Sequence, residues 1–466
     1  MNKTDPYAYL ASLNIDSMRF GLEAITNLLM RLGNPQKSYK TILIAGTNGK
    51  GSTAAMVASI LHNAGYKVGL YTSPHLIDVR ERIVVSGRKI NKKEFSRTVA
   101  NVKSKLKQSV TYFEFLTAVA FLYFQRQQVD IAVLEVGLGG RLDATNVCKP
   151  IVSIITNIEL DHTAYLGNSL TAIAHEKAGI IKRNGVCITA AKQKQVLEVL
   201  NSVCLDRRAK LYCLGSDIRI KSQKDGLLTY RGLQRNLKNL PIPLKGSHQY
   251  SNTALALAAV ELCGKNGFQV DDEAISRGLA NTHWEARLEI LQNNPLFLLD
   301  GAHNPAGMKV LCQALKRDFS YRQLIFIFGA LADKDYRKML RIIASLSPKI
   351  ILTQLKAGRA VAVDDMARVL NKMGYPVIVT KNVGKAIERA QALADRKDLI
   401  CAAGSLYLAG EVKQIFPQTI SCDKRPDTIS ISKDNDPGMR RAGSASKVSQ
   451  RKRRGMKLDK KRTYSS

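Results

Sequence analysis

The chain has 466 residues, 45% hydrophobic and 23% charged, an ordinary globular balance too long for one core, so about two domains are expected. No apolar run reaches the ~20 residues that span a bilayer, and the N-terminal residues lead into no signal-peptide core, which together predict a soluble cytoplasmic protein. A net charge of +33, from 71 Lys+Arg against 38 Asp+Glu, would attract nucleic acid, anionic surfaces or small polyanions without choosing among them. The eight cysteines include no Cys-x-x-Cys pair, and Cys187, Cys263 and Cys401 sit in apolar stretches, which suits buried reduced thiols and argues against sulfur-bound metal.

From Thr41 onward short apolar runs alternate with helical patterns: Thr41 to Ala45, a helix over Ser52 to Ala64, Val68 to Tyr71, then strands at Ile131 to Glu135 and Ile151 to Ile155. Strands that are apolar throughout imply a parallel sheet covered on both faces, so the fold class is α/β with a doubly wound N-terminal sheet. The pattern weakens into polar, short-strand material between about Cys204 and Pro243, and Ser251 to Cys263 reads as an alanine-rich helix. A second α/β series follows, with strands at Pro295 to Leu299, Leu324 to Phe328, Ile350 to Leu352, Val377 to Val379 and Leu399 to Ala402. The expected organisation is therefore an N-terminal domain over 1–282 and a C-terminal, Rossmann-like domain over 283–420, hinged near Asn281 to Trp284. The segment 421–466, with Arg451-Lys-Arg-Arg454 and Lys460-Lys-Arg462 among Ser, Asp and Gly, predicts a disordered basic tail.

Gly46-Thr-Asn-Gly-Lys-Gly-Ser52 falls between a strand and a helix, where glycines let backbone N–H groups face a phosphate and the helix N-terminus favours negative charge. Lys50 would offset charge on the terminal phosphates. The strict P-loop spacing is absent, because Ile44 stands where the first glycine belongs and Gly51 separates Lys50 from Ser52. Glu135 ends a buried strand at the edge where ligands bind in open α/β sheets, in position to hold Mg²⁺ or simply to be solvated. The loop Gly137 to Asn146 and the segment Thr156 to His162 lie at equivalent strand ends. His162 suits a metal ligand or a structural hydrogen bond, and Lys177 taken alone reads as a surface lysine.

Taken together, Gly46 to Ser52, Tyr71-Thr-Ser-Pro-His75, Phe113-Glu114, Glu135-Val-Gly-Leu-Gly-Gly140, Leu160-Asp-His162, Glu176-Lys-Ala-Gly179, Gly246-Ser-His-Gln249 with Asn252, and Asp300-Gly-Ala-His-Asn-Pro305 resemble the folylpolyglutamate synthase/dihydrofolate synthase family of the Mur ligase superfamily. The resemblance runs from about Leu13 to Phe416. It implies an enzyme that activates a carboxylate with ATP as an acyl phosphate, which the amine of L-glutamate then displaces. By the same resemblance Gly49, Lys50, Gly51, Ser52, Asn252, Arg287 and Asp300 contact ATP, while Ser73, Glu135 and His162 hold Mg²⁺. Lys177 is implied to be carbamylated by CO₂ and to support the metal, and Lys50, Lys177 and His162 are the expected catalytic residues.

The loop Arg141-Leu-Asp-Ala-Thr-Asn146 resembles the bifunctional bacterial members. Both activities are thus expected: glutamate joined to dihydropteroate, and to tetrahydrofolate or its polyglutamates, with folate extension alone as the alternative. Phe113, Glu114, Phe115 and Leu116, with Leu142, Asp143 and Ala144, would form the pterin pocket, and His303, Lys334 and Ser405 the glutamate site. Trp284-Glu-Ala-Arg287 departs from relatives that carry proline after the aromatic residue, which puts the local turn in doubt. The expected partners are ATP, L-glutamate, dihydropteroate and reduced folates, with no obligatory nucleic acid or membrane, and the protein is expected to be a monomer. A peptidoglycan-type Mur ligase would need a further N-terminal domain, a simple phosphotransferase leaves Asp300 to His303 unexplained, and a nucleic-acid binder would rest on charge alone.

Overall fold

The computed structural model describes residues 5–13, 21–223, 226–242 and 244–416; the expected basic tail over 421–466 lies outside them, as do residues 417–420. The first sheet is built from β1 (Lys40–Ala45), β2 (Val68–Tyr71), β3 (Ile83–Val85), β4 (Arg88–Lys89), β5 (Ile131–Glu135), β6 (Val152–Ile155), β7 (Val186–Thr189) and β8 (Lys210–Cys213), in the order β4-β3-β2-β5-β1-β6-β7-β8. Strands β2, β5, β1, β6, β7 and β8 run parallel, and only the β3–β4 edge is antiparallel.

Alternation along β1 splits its side chains between two cores. Ile42 and Ile44 meet the helices Lys50–Asn63, His248–Cys263 and Asp272–Ala280, while Leu43 and Ala45 meet Tyr112–Arg126, Leu170–Ala178 and Lys194–Asp206 on the opposite face. Both faces are covered, which is why these strands carry uninterrupted apolar residues.

The polar stretch after Cys213 forms a small antiparallel sheet of β9 (Arg219–Ser222), β10 (Leu228–Arg231) and β11 (Asn236–Leu240). The parallel sheet thus continues through β8, past Cys204 where the apolar pattern fades, because β8 is an edge strand only partly buried.

A second sheet contains β12 (Glu289–Asn293), β13 (Leu296–Leu299), β14 (Leu324–Phe328), β15 (Lys349–Thr353), β16 (Val377–Thr380) and β17 (Leu399–Ala403), in the order β12-β13-β17-β14-β15-β16. It is parallel except for β12, whose alternating exposure suits an antiparallel edge. Two separate cores flank it, one around Phe326 and Phe328 and one around Ile325 and Ile327. The connection between the two sheets runs from Asn281 to Leu288, from the end of the helix Asp272–Ala280 to the start of β12. Among the described residues no helix is long and apolar enough to cross a membrane. Cys187, Cys263 and Cys401 are buried free thiols.

Candidate active site

Strand β1 is central, and its neighbours β5 and β6 come from later in the chain, so the order of the sheet reverses beside it. Crevices at the carboxyl ends of strands form at such points. The loop Gly46 to Gly49 leaves β1 there, and the helix Lys50–Asn63 begins at once. Partners distant in sequence hold the loop open. The N–H of Asn48 donates to Oδ1 of Asn157 at 2.8 Å, and Oγ1 of Thr156 donates to the Asn48 carbonyl at 2.7 Å.

Gly49 has φ +84, and a Cβ there would lie 2.5 Å from Oδ1 of Asn252, so both conformation and space require glycine. The interposed Gly51 has a different cause. A Cβ on it would sit 2.9 Å from the indole of Trp284, which packs against the first turn of the helix. Gly51→Ala is therefore expected to destabilise the protein by about 1–3 kcal/mol. Thermal unfolding checks this: adding Trp284→Ala to that variant should recover stability relative to the sum of the two single changes.

Lys50 folds back over the loop, donating to the carbonyls of Gly46 and Thr47 at 3.2 Å each. Ser52 has a buried Oγ without a hydrogen-bond partner among the described residues. An orphaned hydroxyl in the first turn is what a phosphate or metal-bound water would satisfy.

Around the loop stand three strand ends. Glu135 closes β5, and its Oε2 accepts the N–H of Ser73, just beyond β2, at 3.1 Å. Burial raises the Glu135 pKa, opposed by the nearby Lys50 charge and the Ser73 N–H. His162 follows β6 with a left-handed backbone, φ +51. Burial first, and then the Lys334 ammonium, lower its pKa to about 4, so the ring is neutral near pH 7.

Lys177 is not the surface residue its local sequence suggests. Only 4% exposed, it donates to the Gly46 carbonyl at 2.9 Å, and burial followed by the charge of Lys50 lowers its pKa to about 7. Gly140 and Gly179 permit this packing of the loop 137–146 on the helix Leu170–Ala178, the N–H of Arg141 donating to the Glu176 carbonyl at 2.8 Å.

Gly46 to Gly51, Ser73, Glu135, His162 and Lys177 line one cavity of about 350 Å³, together with Phe113, Glu114, Leu142, Asp143 and Ala144. Glu114 serves its own helix through a capping box with Thr111, but its Oε1 is buried without a partner. Asp143 uses both oxygens on the loop, accepting from the N–H groups of Thr145 at 3.0 Å and Leu138 at 3.0 Å, so it shapes the wall. Phe115 and Leu116 depart from the expected pocket. Both are fully buried in the core, with Phe115 edge-on to Tyr9.

A second cavity of about 1030 Å³ adjoins the first, sharing Asn48, Gly49, His162, Arg287 and His303. Ser52, Asn252, Asp300 and Lys334 also line it. Arg287 is held by a turn in which Ala286 and Leu288 have φ +53 and +49. That turn is fastened by Asp300, accepting from Leu288 N–H at 2.9 Å, and by Glu289, accepting from Ala286 N–H at 2.7 Å. Lys413 neutralises Glu285 and Glu289 at 2.8 and 2.7 Å. Asp300 thereby acts on the position of Arg287 as well as on the cavity wall.

Lys334 is largely buried, donating to Oδ1 of Asp161 at 2.7 Å and to Nε2 of His162 at 3.0 Å. An ammonium has only donors, so Nε2 accepts, which again requires the neutral ring. Coordination of a metal through Nε2 would displace this bond. Asn304 links the same Asp161 (2.9 Å) to Asn48 (3.0 Å) in the loop, joining the second sheet to the phosphate end of the first. His303 lines both cavities and donates from Nδ1 to the Gly301 carbonyl at 2.8 Å. Ser405 does not reach either cavity. Its buried side chain caps the helix Leu406–Ile415, accepting from Tyr407 N–H at 3.0 Å.

A glycine-rich loop beside a buried carboxylate, a buried lysine and a neutral histidine, at the strand ends of the first of two α/β sheets, belongs to a Mur-type ligase: the models for the Mur ligase middle domain and the Mur ligase glutamate ligase domain match residues 44–260 and 286–406. The chain is 33% identical over 411 residues to the Bacillus subtilis dihydrofolate synthase/folylpolyglutamate synthase, covering 84% of this chain and 94% of that one. It is 35% identical over 431 residues to a probable bifunctional folylpolyglutamate synthase/dihydropteroate synthase of Haloferax volcanii, of which it spans about half, 50%. A crystal structure of the bifunctional folylpolyglutamate synthase/dihydrofolate synthase of Yersinia pestis, complexed with AMPPNP and Mn ion, superposes with a TM-score of 0.81 at 30% identity over 88% of this chain and 98% of that one. The chain belongs to the folylpolyglutamate synthase/dihydrofolate synthase family of ATP-dependent ligases.

Proposed function

We propose that the protein joins L-glutamate to dihydropteroate, giving dihydrofolate, and to tetrahydrofolate or its polyglutamates, with ATP cleaved to ADP and phosphate. The observation that carries this reading is the convergence of the phosphate loop, Glu135, Ser73, His162 and Lys177 on one cavity that Phe113 and Glu114 also line, the Glu114 Oε1 being buried without a partner among the described residues. An aromatic face and a lone buried acceptor suit a pterin ring with its amino group.

The acceptor carboxylate lies toward the loop in this reading, where Gly49 to Ser52 take the phosphates and Lys50 leaves the loop carbonyls to offset their charge. Asn252, Arg287 and Asp300 support the nucleotide from the larger cavity, and His303 and Lys334 lie where the incoming glutamate would approach. The residues fit a divalent ion: Glu135 and Ser73 are adjacent, His162 is neutral, and the buried Lys177 amine is neutral enough near pH 7 to take up CO₂ and join the set. When bound, Mg²⁺ would supply charge neutralisation where two anions meet. Excluding water from an acyl phosphate is the purpose of enclosing the site between two sheets. We also read the protein as a cytoplasmic monomer.

The test is incubation with ATP, Mg²⁺, L-glutamate and either dihydropteroate or tetrahydrofolate, following ADP and product mass. A product one glutamate heavier is expected from each acceptor. Failure with both sinks the reading, and product from tetrahydrofolate alone reduces it to folate extension.

A further inference from the structure

The loop between β14 and the helix Tyr336–Ala344 carries Lys334 across from the second sheet to the segment that follows β6 in the first. Its side chain is 7% exposed, and its ammonium reaches two groups there, Oδ1 of Asp161 at 2.7 Å and Nε2 of His162 at 3.0 Å. The metal set proposed above includes His162, so the protein has placed a cation of its own on a nitrogen that a divalent ion would use. An imidazole nitrogen has one lone pair in the ring plane, which serves an ammonium or a metal but not both. Because an ammonium can only donate, Nε2 accepts and the ring proton stands on Nδ1. That is the tautomer a metal bound through Nε2 requires.

Asp161 keeps hold of the lysine whichever cation takes the histidine. Its Oδ1 accepts from Lys334 and from the N–H of His162 at 2.8 Å, and its Oδ2 accepts from Nδ2 of Asn304 at 2.9 Å. A lysine that loses Nε2 thus stays tethered in the larger cavity, which it lines, with one N–H to redirect. The next carboxylate, Asp333 at 3.8 Å, is shared with Arg359 at 3.6 Å, whereas an incoming glutamate brings two of its own. A metal must take Nε2 from Lys334, and a carboxylate must take Lys334 from Nε2. Each therefore eases the binding of the other, by the same factor in both directions. We propose that Lys334 is a resident cation on the metal-binding lone pair of His162, exchanged for the divalent ion and then held by a carboxylate of the incoming glutamate, so that metal and glutamate bind with positive coupling. Lys334 is a positioning residue in this scheme, which rests on the metal and glutamate placement proposed above.

The test titrates the full chain with Mn²⁺, read by electron paramagnetic resonance, with and without saturating L-glutamate and with neither nucleotide nor acceptor present. A protein-free blank corrects for chelation of Mn²⁺ by glutamate. Glutamate should tighten Mn²⁺ binding to the unmodified protein about fivefold or more. Lys334→Met, which removes the competing cation, should bind Mn²⁺ about tenfold tighter without glutamate and gain nothing further when it is added. Nitrogen-15 NMR of the metal-free protein, with His162 assigned by its loss in His162→Gln, separates exchange from mere removal of a charge. Nε2 should be an unprotonated, hydrogen-bonded nitrogen that shifts toward the free value when glutamate is added, and it should start at the free value in Lys334→Met. A ring protonated on Nε2 in the unmodified protein, Mn²⁺ affinity indifferent to glutamate, or a Lys334→Met protein that binds Mn²⁺ no more tightly or keeps the coupling each overturns the proposal, and the first two need no variant to fold. His162→Gln binding Mn²⁺ as tightly as the unmodified protein sinks the metal placement itself, and the exchange with it.

Discussion

Lys177→Ala is expected to lower kcat for both acceptors by about a hundredfold to a thousandfold, the loss typical of removing one pre-positioned electrostatic group, with no recovery in high bicarbonate. The side chain is buried against the Gly46 carbonyl at 2.9 Å, and burial with the Lys50 charge brings its pKa to about 7. Only the neutral amine adds CO₂. Above pH 7 the neutral form predominates, while below it the ammonium does, so carbamate content and activity should fall together as pH drops through 7. Carbon-13 NMR with labelled bicarbonate checks this directly. A carbamate resonance should be present in the unmodified protein, decline toward acid pH and vanish in Lys177→Ala; an active variant, or a signal that survives it, removes the carbamate from the mechanism.

Glu135→Gln should raise the metal concentration needed for half-maximal activity by about tenfold to a hundredfold and lower kcat by about a hundredfold or more. The amide oxygen can still accept the Ser73 N–H that Glu135 now takes at 3.1 Å, so the strand ends should keep their arrangement. What is lost is the negative charge facing the phosphate loop. Titration with Mn²⁺, read by electron paramagnetic resonance, separates this from misfolding: weakened metal binding with an unchanged unfolding temperature is the expected result. Unchanged Mn²⁺ affinity would mean that Glu135 serves the loop through hydrogen bonding alone.

Much of the site was legible because a parallel sheet gathers the ends of its strands at one edge. Gly46 to Ser52, Ser73, Glu135 and His162 each follow an apolar run, and the strand order that brings those runs side by side puts them together. Errors arose where sequence neighbours diverge in space. Phe113 and Glu114 open the helix Tyr112–Arg126 on its cavity side, but Phe115 turns about 200° away from Phe113 into the core, and Leu116, nearer to the face of Phe113, sits further along the helix and is fully buried. Ser405 sits before a helix, where a capping serine and a ligand-binding serine look alike. Asn304 stands inside the motif Asp300 to Pro305, but its bonds to Asp161 and Asn48 join residues far apart along the chain, which no local pattern gives.

The sequence by itself determined the two parallel α/β sheets, because buried strands must be apolar on both faces, and it marked the nucleotide loop, because glycine and lysine at a strand end suit a phosphate. The tertiary structure alone decided the states of the charged groups. Lys177 is a buried amine whose pKa is lowered to about 7 by burial and the Lys50 charge, not a solvated cation, Lys334 is tied to Asp161 and His162, and Gly51 is small because Trp284 lies against it. Those outcomes depend on desolvation and on contacts between distant residues, which no local pattern encodes.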